Sequence, residues 1–301
     1  MNGVATTLSL ALWATDLGGK LNGIAAWVER IGSQMDKARQ RGADLLVMPE
    51  YACEQWLSFR PDGLAPHQEL AWIAAQVDAA VDLLKPLVER YQTALLAGTF
   101  PYIQDGALRN RAILLLPDGR VVHQDKLCLT PGERDPENWS LEPGQKLQLI
   151  EWRGIKLAIL ICLDVELPQL SSMLAPHQPD LILVPSMTST QAGYSRVFGC
   201  AKARAVELMS IVAACGTTGA TPGTTQCPTN VSGCSVFLPC EPSLGYHGIL
   251  DQIGPVDGCP DGGPLLITGP LPVDEIRALR SGGADVWPGA WSGRDVSVIS
   301  A

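Results

Sequence analysis

The sequence predicts an α/β protein built from two β-sheets with helices on their outer faces. Three observations carry that prediction. Short apolar, β-rich runs alternate with longer stretches of amphipathic helical period along most of the chain. No internal repeat, low-complexity block or linker interrupts them, so 1–301 reads as one domain, with 239–301 as an extension of it. With 301 residues, 46% hydrophobic and 18% charged, the chain is of ordinary globular composition and long enough to bury roughly 75% of its unfolded surface.

Taken in order, "TLSLALW" (7–13) reads as a first strand and "LNGIAAWVERIGSQMDKARQRG" (21–42) as a helix stopped by Gly42. "DLLVMPE" (44–50) is a second strand ending at Pro49-Glu50. The stretch 67–92 has helical period, and Pro86 is expected to end or kink it. "ALLAGTFPY" (94–102) is a third strand, and 110–126 reads as a hairpin around Pro117-Asp118-Gly119. Two more strands flank Arg153-Gly154 within 146–162, and others follow at 180–186, 210–216, 232–239 and 263–270. Helices are expected over 166–176 and 195–209, and the Gly/Pro-rich 239–264 reads as a long excursion within the one domain.

The 22 basic against 31 acidic residues give a net charge of −9, which argues against phosphate-backbone binding and so against a nucleic-acid partner. No run reaches the roughly 18 apolar residues that span a bilayer, and the start carries no basic n-region. No membrane partner is therefore expected. The nine cysteines, an odd number without secretory context, read as reduced thiols of a cytoplasmic protein. Cys227, Cys234, Cys240 and Cys259 cluster, yet none forms the C-x-x-C pair that zinc sites favour.

Glu50, Lys126 and Cys162 share a placement, each closing an apolar or β-rich run. Side chains at strand ends project from the rim of a sheet, where rigid scaffolds mount reactive groups. A thiol beside an ammonium is expected to have a lowered pKa, the thiolate being the nucleophile. A nearby carboxylate can take the thiol proton, and a lysine can hold an oxyanion. Singly, each has a plainer reading: a surface carboxylate, a solvated lysine, a small buried hydrophobe. Glu133, after Pro131-Gly132, could simply cap a turn. Thr188 and Tyr194, near the loop "PSMTST", are candidates to line a pocket or to start a helix. A Cys–His pair is also conceivable, though nothing local recommends any of the four histidines.

"LLVMPEY" around Glu50, "HQDKLCLTPGE" around Lys126 and "LAILICLDVELP" around Cys162 together resemble the nitrilase superfamily of carbon–nitrogen hydrolases, in its amidase-like branch. The three motifs fall in the family's order, and the resemblance covers roughly residues 5–280. It implies an α/β fold of four layers, an α-β-β-α sandwich, forming a homodimer or larger homo-oligomer. It also implies acyl transfer through a thioester on a small-molecule amide, with no cofactor and no metal. Glu50 is then the general base and Cys162 the nucleophile. Lys126 and the backbone N–H of Leu163 hold the oxyanion, and Glu133 matches a second glutamate that positions the lysine. Leu163 stands where the family often has an aromatic, Gln169 where it has Glu, and Cys215 where it often has Asn. The leading expectation is an amidase. An acyltransferase using the same thioester, and a catalytically silent member with a binding role, stay open beside it.

Overall fold

A computed structural model describes residues 7–222, 228–259, 261–285, 287, 289, 293 and 296–300. It has two six-stranded sheets. The strands are β1 (Leu10–Trp13), β2 (Leu45–Val47), β3 (Ala94–Gln104), β4 (Ala107–Leu115), β5 (Val121–Asp125), β6 (Ile150–Trp152), β7 (Ile155–Ile159), β8 (Leu181–Ser186), β9 (Ile211–Gly216), β10 (Ser232–Phe237), β11 (Ile249–Val256) and β12 (Leu265–Ile267). The first sheet runs β12-β1-β2-β3-β4-β5 and the second β11-β10-β9-β8-β7-β6. In each sheet three central strands are parallel, β1-β2-β3 and β7-β8-β9, and antiparallel strands flank them.

Side-chain alternation along the strands explains the layering. In β1, Leu10 and Leu12 face the second sheet, while Ala11 and Trp13 face the helices. The same split divides Leu45 and Val47 from Leu46, and Ala112 and Leu114 from Ile113 and Leu115. Helices α1 (Ile24–Gln40), α2 (Glu69–Ala74) and α3 (Val77–Tyr91) pack on the outer face of the first sheet. After the short α4 (Pro131–Arg134), helices α5 (Pro168–Leu174) and α6 (Gln191–Leu208) cover the second, with Val197, Phe198, Ala201 and Ala205 buried. The result is the four-layer α-β-β-α sandwich. A last helix, α7 (Val273–Ala278), is tied down by charge: Arg277 and Arg280 both donate to the buried Asp180 carboxylate at the start of β8.

Three expectations need correction. Pro86 neither ends nor breaks its helix; it lies inside α3. It sits on the exposed face, so water can satisfy the carbonyl one turn earlier that loses its N–H partner. The break falls instead at Ala75-Gln76, between α2 and α3. And the expected strand set lacks one member: within 239–264, β11 pairs antiparallel with β10 and forms the edge of the second sheet.

Candidate active site

Four sequence-chosen side chains meet at the rim where the two sheets abut. Glu50 lies three residues past β2, Lys126 directly after β5 and Cys162 three residues past β7. Glu133 is delivered by α4, which Thr130 caps reciprocally: the Glu133 N–H donates to Thr130 Oγ1 at 3.3 Å, and the Thr130 N–H donates to Glu133 Oε2 at 2.8 Å. That leaves Glu133 Oε1 to face the lysine. Two glycines make room. A Cβ on Gly98, whose φ is +79°, would stand 2.2 Å from the Pro49 carbonyl oxygen, so only glycine lets β3 press against the Glu50 segment. A Cβ on Gly144 would stand 2.7 Å from that of Asp125, next to Lys126.

Lys126 Nζ donates to Glu50 Oε1 and to Glu133 Oε1, both at 2.8 Å. Asn110 Nδ2, on β4, donates to the same two oxygens at 2.8 and 3.3 Å. The Cys162 thiol donates to the Met187 carbonyl at 3.6 Å. All five side chains are buried. Glu50, Lys126, Glu133 and Cys162 line a cavity of about 220 Å³, completed by Tyr51, Thr130, Gly132, Asn138, Trp139, Met187 and Ser189. Trp139 meets the Tyr51 ring edge-on, with centroids 5.0 Å apart. Cys162 (φ 49°) and Tyr51 (φ 52°) both hold left-handed backbone, a strain that surrounding packing must over-determine.

Charge balance sets the resting protonation. Burial alone would discharge Lys126, but the Glu50 and Glu133 carboxylates outweigh it and hold the ammonium well above the usual lysine value. Burial raises the Glu50 carboxyl; Lys126 pulls it down and Glu133 pushes it up again. Burial, then the Glu50 charge, push the Cys162 thiol well above its ordinary value, against the pull of Lys126. The expected lysine-lowered thiol is therefore not what the geometry gives. Two carboxyls act on a single ammonium, and desolvation adds to them. Burial and the Glu50 charge thus favour the neutral thiol at Cys162.

The other expected residues divide: Leu163 stays beside the thiol, while Thr188 and Tyr194 lie off the cavity lining. Leu163, half-buried, follows Cys162 in a 3₁₀ turn spanning Cys162–Glu166. Thr188 spends its hydroxyl on the Val231 carbonyl at 2.7 Å, and its neighbours Met187 and Ser189 line the cavity instead. The Tyr194 hydroxyl accepts from Gln252 at 3.2 Å, and its ring packs on Phe198, away from the cavity lining. Of the clustered cysteines, Cys227 lies outside the described residues. Among the described residues no group of three His, Cys, Asp or Glu side chains is placed to hold a metal ion. None of their helices is long and apolar enough to cross a membrane. Asn110, Tyr51 and Trp139 escaped sequence reasoning. An asparagine in the middle of a strand pattern was the one available signal, since β-propensity disfavours it there.

A model of the carbon–nitrogen hydrolase family matches residues 5–238. The chain is 26% identical over 264 residues, 88% of its length, to the probable hydrolase YhcX of Bacillus subtilis, covering 50% of that protein. It is 30% identical over 142 residues to an (R)-stereoselective amidase of Pseudomonas sp., 47% of each chain. The chain thus spans about half the length of these two relatives. Among solved structures, a nitrilase-superfamily amidase from Nesterenkonia superposes with a TM-score of 0.68 at 24% identity, over 91% of this chain and 95% of that one, a likeness of fold. The motifs, the layered fold and the match over most of the length agree: this chain belongs to the carbon–nitrogen hydrolase family.

Proposed function

We propose that the chain is a thiol-dependent amidase that cleaves a small carboxamide through a cysteine thioester, releasing ammonia or an amine. One observation carries the reading: Lys126 Nζ stands 2.8 Å from both Glu50 and Glu133, at the cavity that Cys162 lines. Family membership supports C–N chemistry. The cavity of about 220 Å³ is smaller than the roughly 300–1,000 Å³ of pockets for drug-sized ligands, which suits a short acyl group.

In this scheme Glu50 takes the thiol proton as the sulfur attacks the amide carbon. The carbonyl electron pair moves to oxygen, where Lys126 and the Leu163 N–H hold the charge. That pair then returns, the C–N bond breaks, and protonated Glu50 gives its proton to the departing nitrogen. A thioester remains on Cys162. Water passes a proton to Glu50 and attacks the thioester; the C–S bond breaks, and the sulfur takes the proton back. Glu133 and Asn110 act by fixing Lys126 and Glu50.

The test is ammonia release across a panel of short carboxamides, nitriles and carbamoyl compounds, with Cys162→Ala as control. Turnover of amides that vanishes in the variant is the expected result. A folded protein silent on the whole panel would favour a binding role instead.

A further inference from the structure

One carboxylate joins the two halves of this site. Asp164, two residues past the thiol, is fully buried. Its Oδ1 accepts the N–H of Leu127 at 3.1 Å and of Cys128 at 2.7 Å, the two residues directly after Lys126. Its Oδ2 accepts the N–H of Ile161 at 3.0 Å, the residue before Cys162, and lies 3.3 Å from Leu127 N. All three partners are donors. The lysine segment belongs to the first sheet and the cysteine turn to the second, so this side chain spans the joint between them.

We propose that Asp164 is a positioning residue that sets Lys126 against Cys162 by clamping both backbones to one carboxylate. The inference rests on the amidase reading for its effect on rate, while the clamp itself is independent of it. Its chemistry is specific to two bare oxygens. Turning either one into a donor, by protonation or by the amide of Asn, sets donor against donor and opens one arm. A shift of about 1 Å between reacting groups can cost about 100-fold in rate.

The charged surroundings are few. Lys126 and Cys128 face Asp164 from the lysine segment. Cys162 and Glu166 share its turn. From α6, Arg204 donates to the Val165 and Glu166 carbonyls and pairs with Glu207, while Arg196 pairs with Glu166. Strand β8 and helix α5, also packed on the turn, carry no titratable side chain. Burial raises the Asp164 carboxyl to about 6, against the opposing pull of its N–H partners and Lys126. The clamp is therefore whole above about pH 6 and opens as pH falls through that value.

The experiment compares wild type with Asp164→Asn from pH 5 to pH 8, reading kcat and KM for an amide that wild type turns over. At pH 8 the variant is expected to be 10- to 100-fold slower in kcat, with KM within about threefold. The ratio of the two rates should shrink towards one at pH 5, where wild type has lost the same bond. Both proteins share the titration of Glu50, so the ratio isolates Asp164. A ratio constant with pH would overturn the proposal and leave a merely structural residue. Amide hydrogen exchange of Leu127, Cys128 and Ile161 in wild type needs neither a substrate nor a folded variant. Their protection, corrected for intrinsic exchange, should fall together below about pH 6. Unchanged protection there would refute the clamp, and protection that falls without any amide turnover would retain the clamp and reject the amidase.

Discussion

Asn110, on β4, and Lys126, directly after β5 and opposite it, donate to the same two atoms, Oε1 of Glu50 and Oε1 of Glu133. Two donors and two acceptors thus close a ring. Asn110 contributes geometry without charge, so it can orient Glu50 without competing for its proton. Asn110→Ala should lower kcat by about 10- to 100-fold with little change in KM, since a hydrogen bond to a charged group is worth about 1.5–3 kcal/mol. Steady-state kinetics on the best amide would check it; a KM effect alone would mean that Asn110 contacts substrate instead.

Removing the cation should hurt differently. Lys126→Met leaves two buried carboxyls facing each other without a counter-charge, which typically costs about 3–5 kcal/mol. Those carboxyls can escape by taking up protons, so the loss in thermal midpoint should be large at pH 8 and smaller at pH 5. Calorimetry at the two pH values reads this directly. An equal loss at both would mean that the lysine matters for packing rather than charge.

Glu50 should separate turnover from reactivity. Its charge is the second cause, after burial, of the raised Cys162 thiol. Glu50→Gln therefore removes the proposed base while letting Lys126 draw the thiol down. Amide turnover should fall by about 100-fold or more, the range of a positioned general base. Alkylation of Cys162 by iodoacetamide at pH 7 should be no slower than in wild type. Mass spectrometry of the labelled peptide decides, and slower labelling would contradict the charge assignment.

Glu54 is a buried carboxyl that the proposed chemistry does not use. Both of its oxygens lack a hydrogen-bond partner among the described residues. Burial, with Glu69 and Glu50 nearby, raises it from 4.5 to about 8. Folding thus favours its protonated form: the associated stability is whole below about pH 4.5, declines as pH rises, and is gone above about pH 8. Glu54→Gln should remove that slope, raising the thermal midpoint at pH 8 by several degrees and hardly at pH 4.5. Equal shifts at both ends would show that folding does not change the protonation of this carboxyl.

The Asp180 cluster makes a prediction about the end of the fold. Asp180 Oδ1 accepts from Arg280 at 3.0 Å, Arg277 donates to both oxygens, and the Lys156 N–H donates at 2.9 Å. Asp180→Asn strips the counter-charge from the buried Arg280, at a cost of about 3–5 kcal/mol. Limited proteolysis should then cut first near α7. Cutting elsewhere would show that apolar packing alone holds that helix.

The apolar strands were legible because their side chains alternate or run continuously into a two-sided core. The convergence of Glu50, Lys126, Cys162 and Glu133 on one cavity was legible through short motifs in a fixed order. Strand β11 was not: all eight of its residues are partly or fully exposed, and Gly254-Pro255 reads as a breaker. Asn110 was hidden because its partners lie 60 and 23 residues away, beyond any local pattern. Tyr51 and Trp139 became neighbours only when a left-handed residue turned the chain after Glu50. In each case the missing information was tertiary.

Strand β12 completes the sheet that bears the carboxylates by pairing with β1. Everything between them in the chain, the thiol-bearing sheet included, is made first. During synthesis, then, that sheet stays one strand short until the ribosome has delivered Ile267. Cys162 and the strands of its own sheet thus leave the ribosome before the strand that closes the sheet from which Glu50 and Lys126 extend. A chain cut short before Leu265 would hold every residue that lines the cavity, yet one of its two sheets would lack an edge strand.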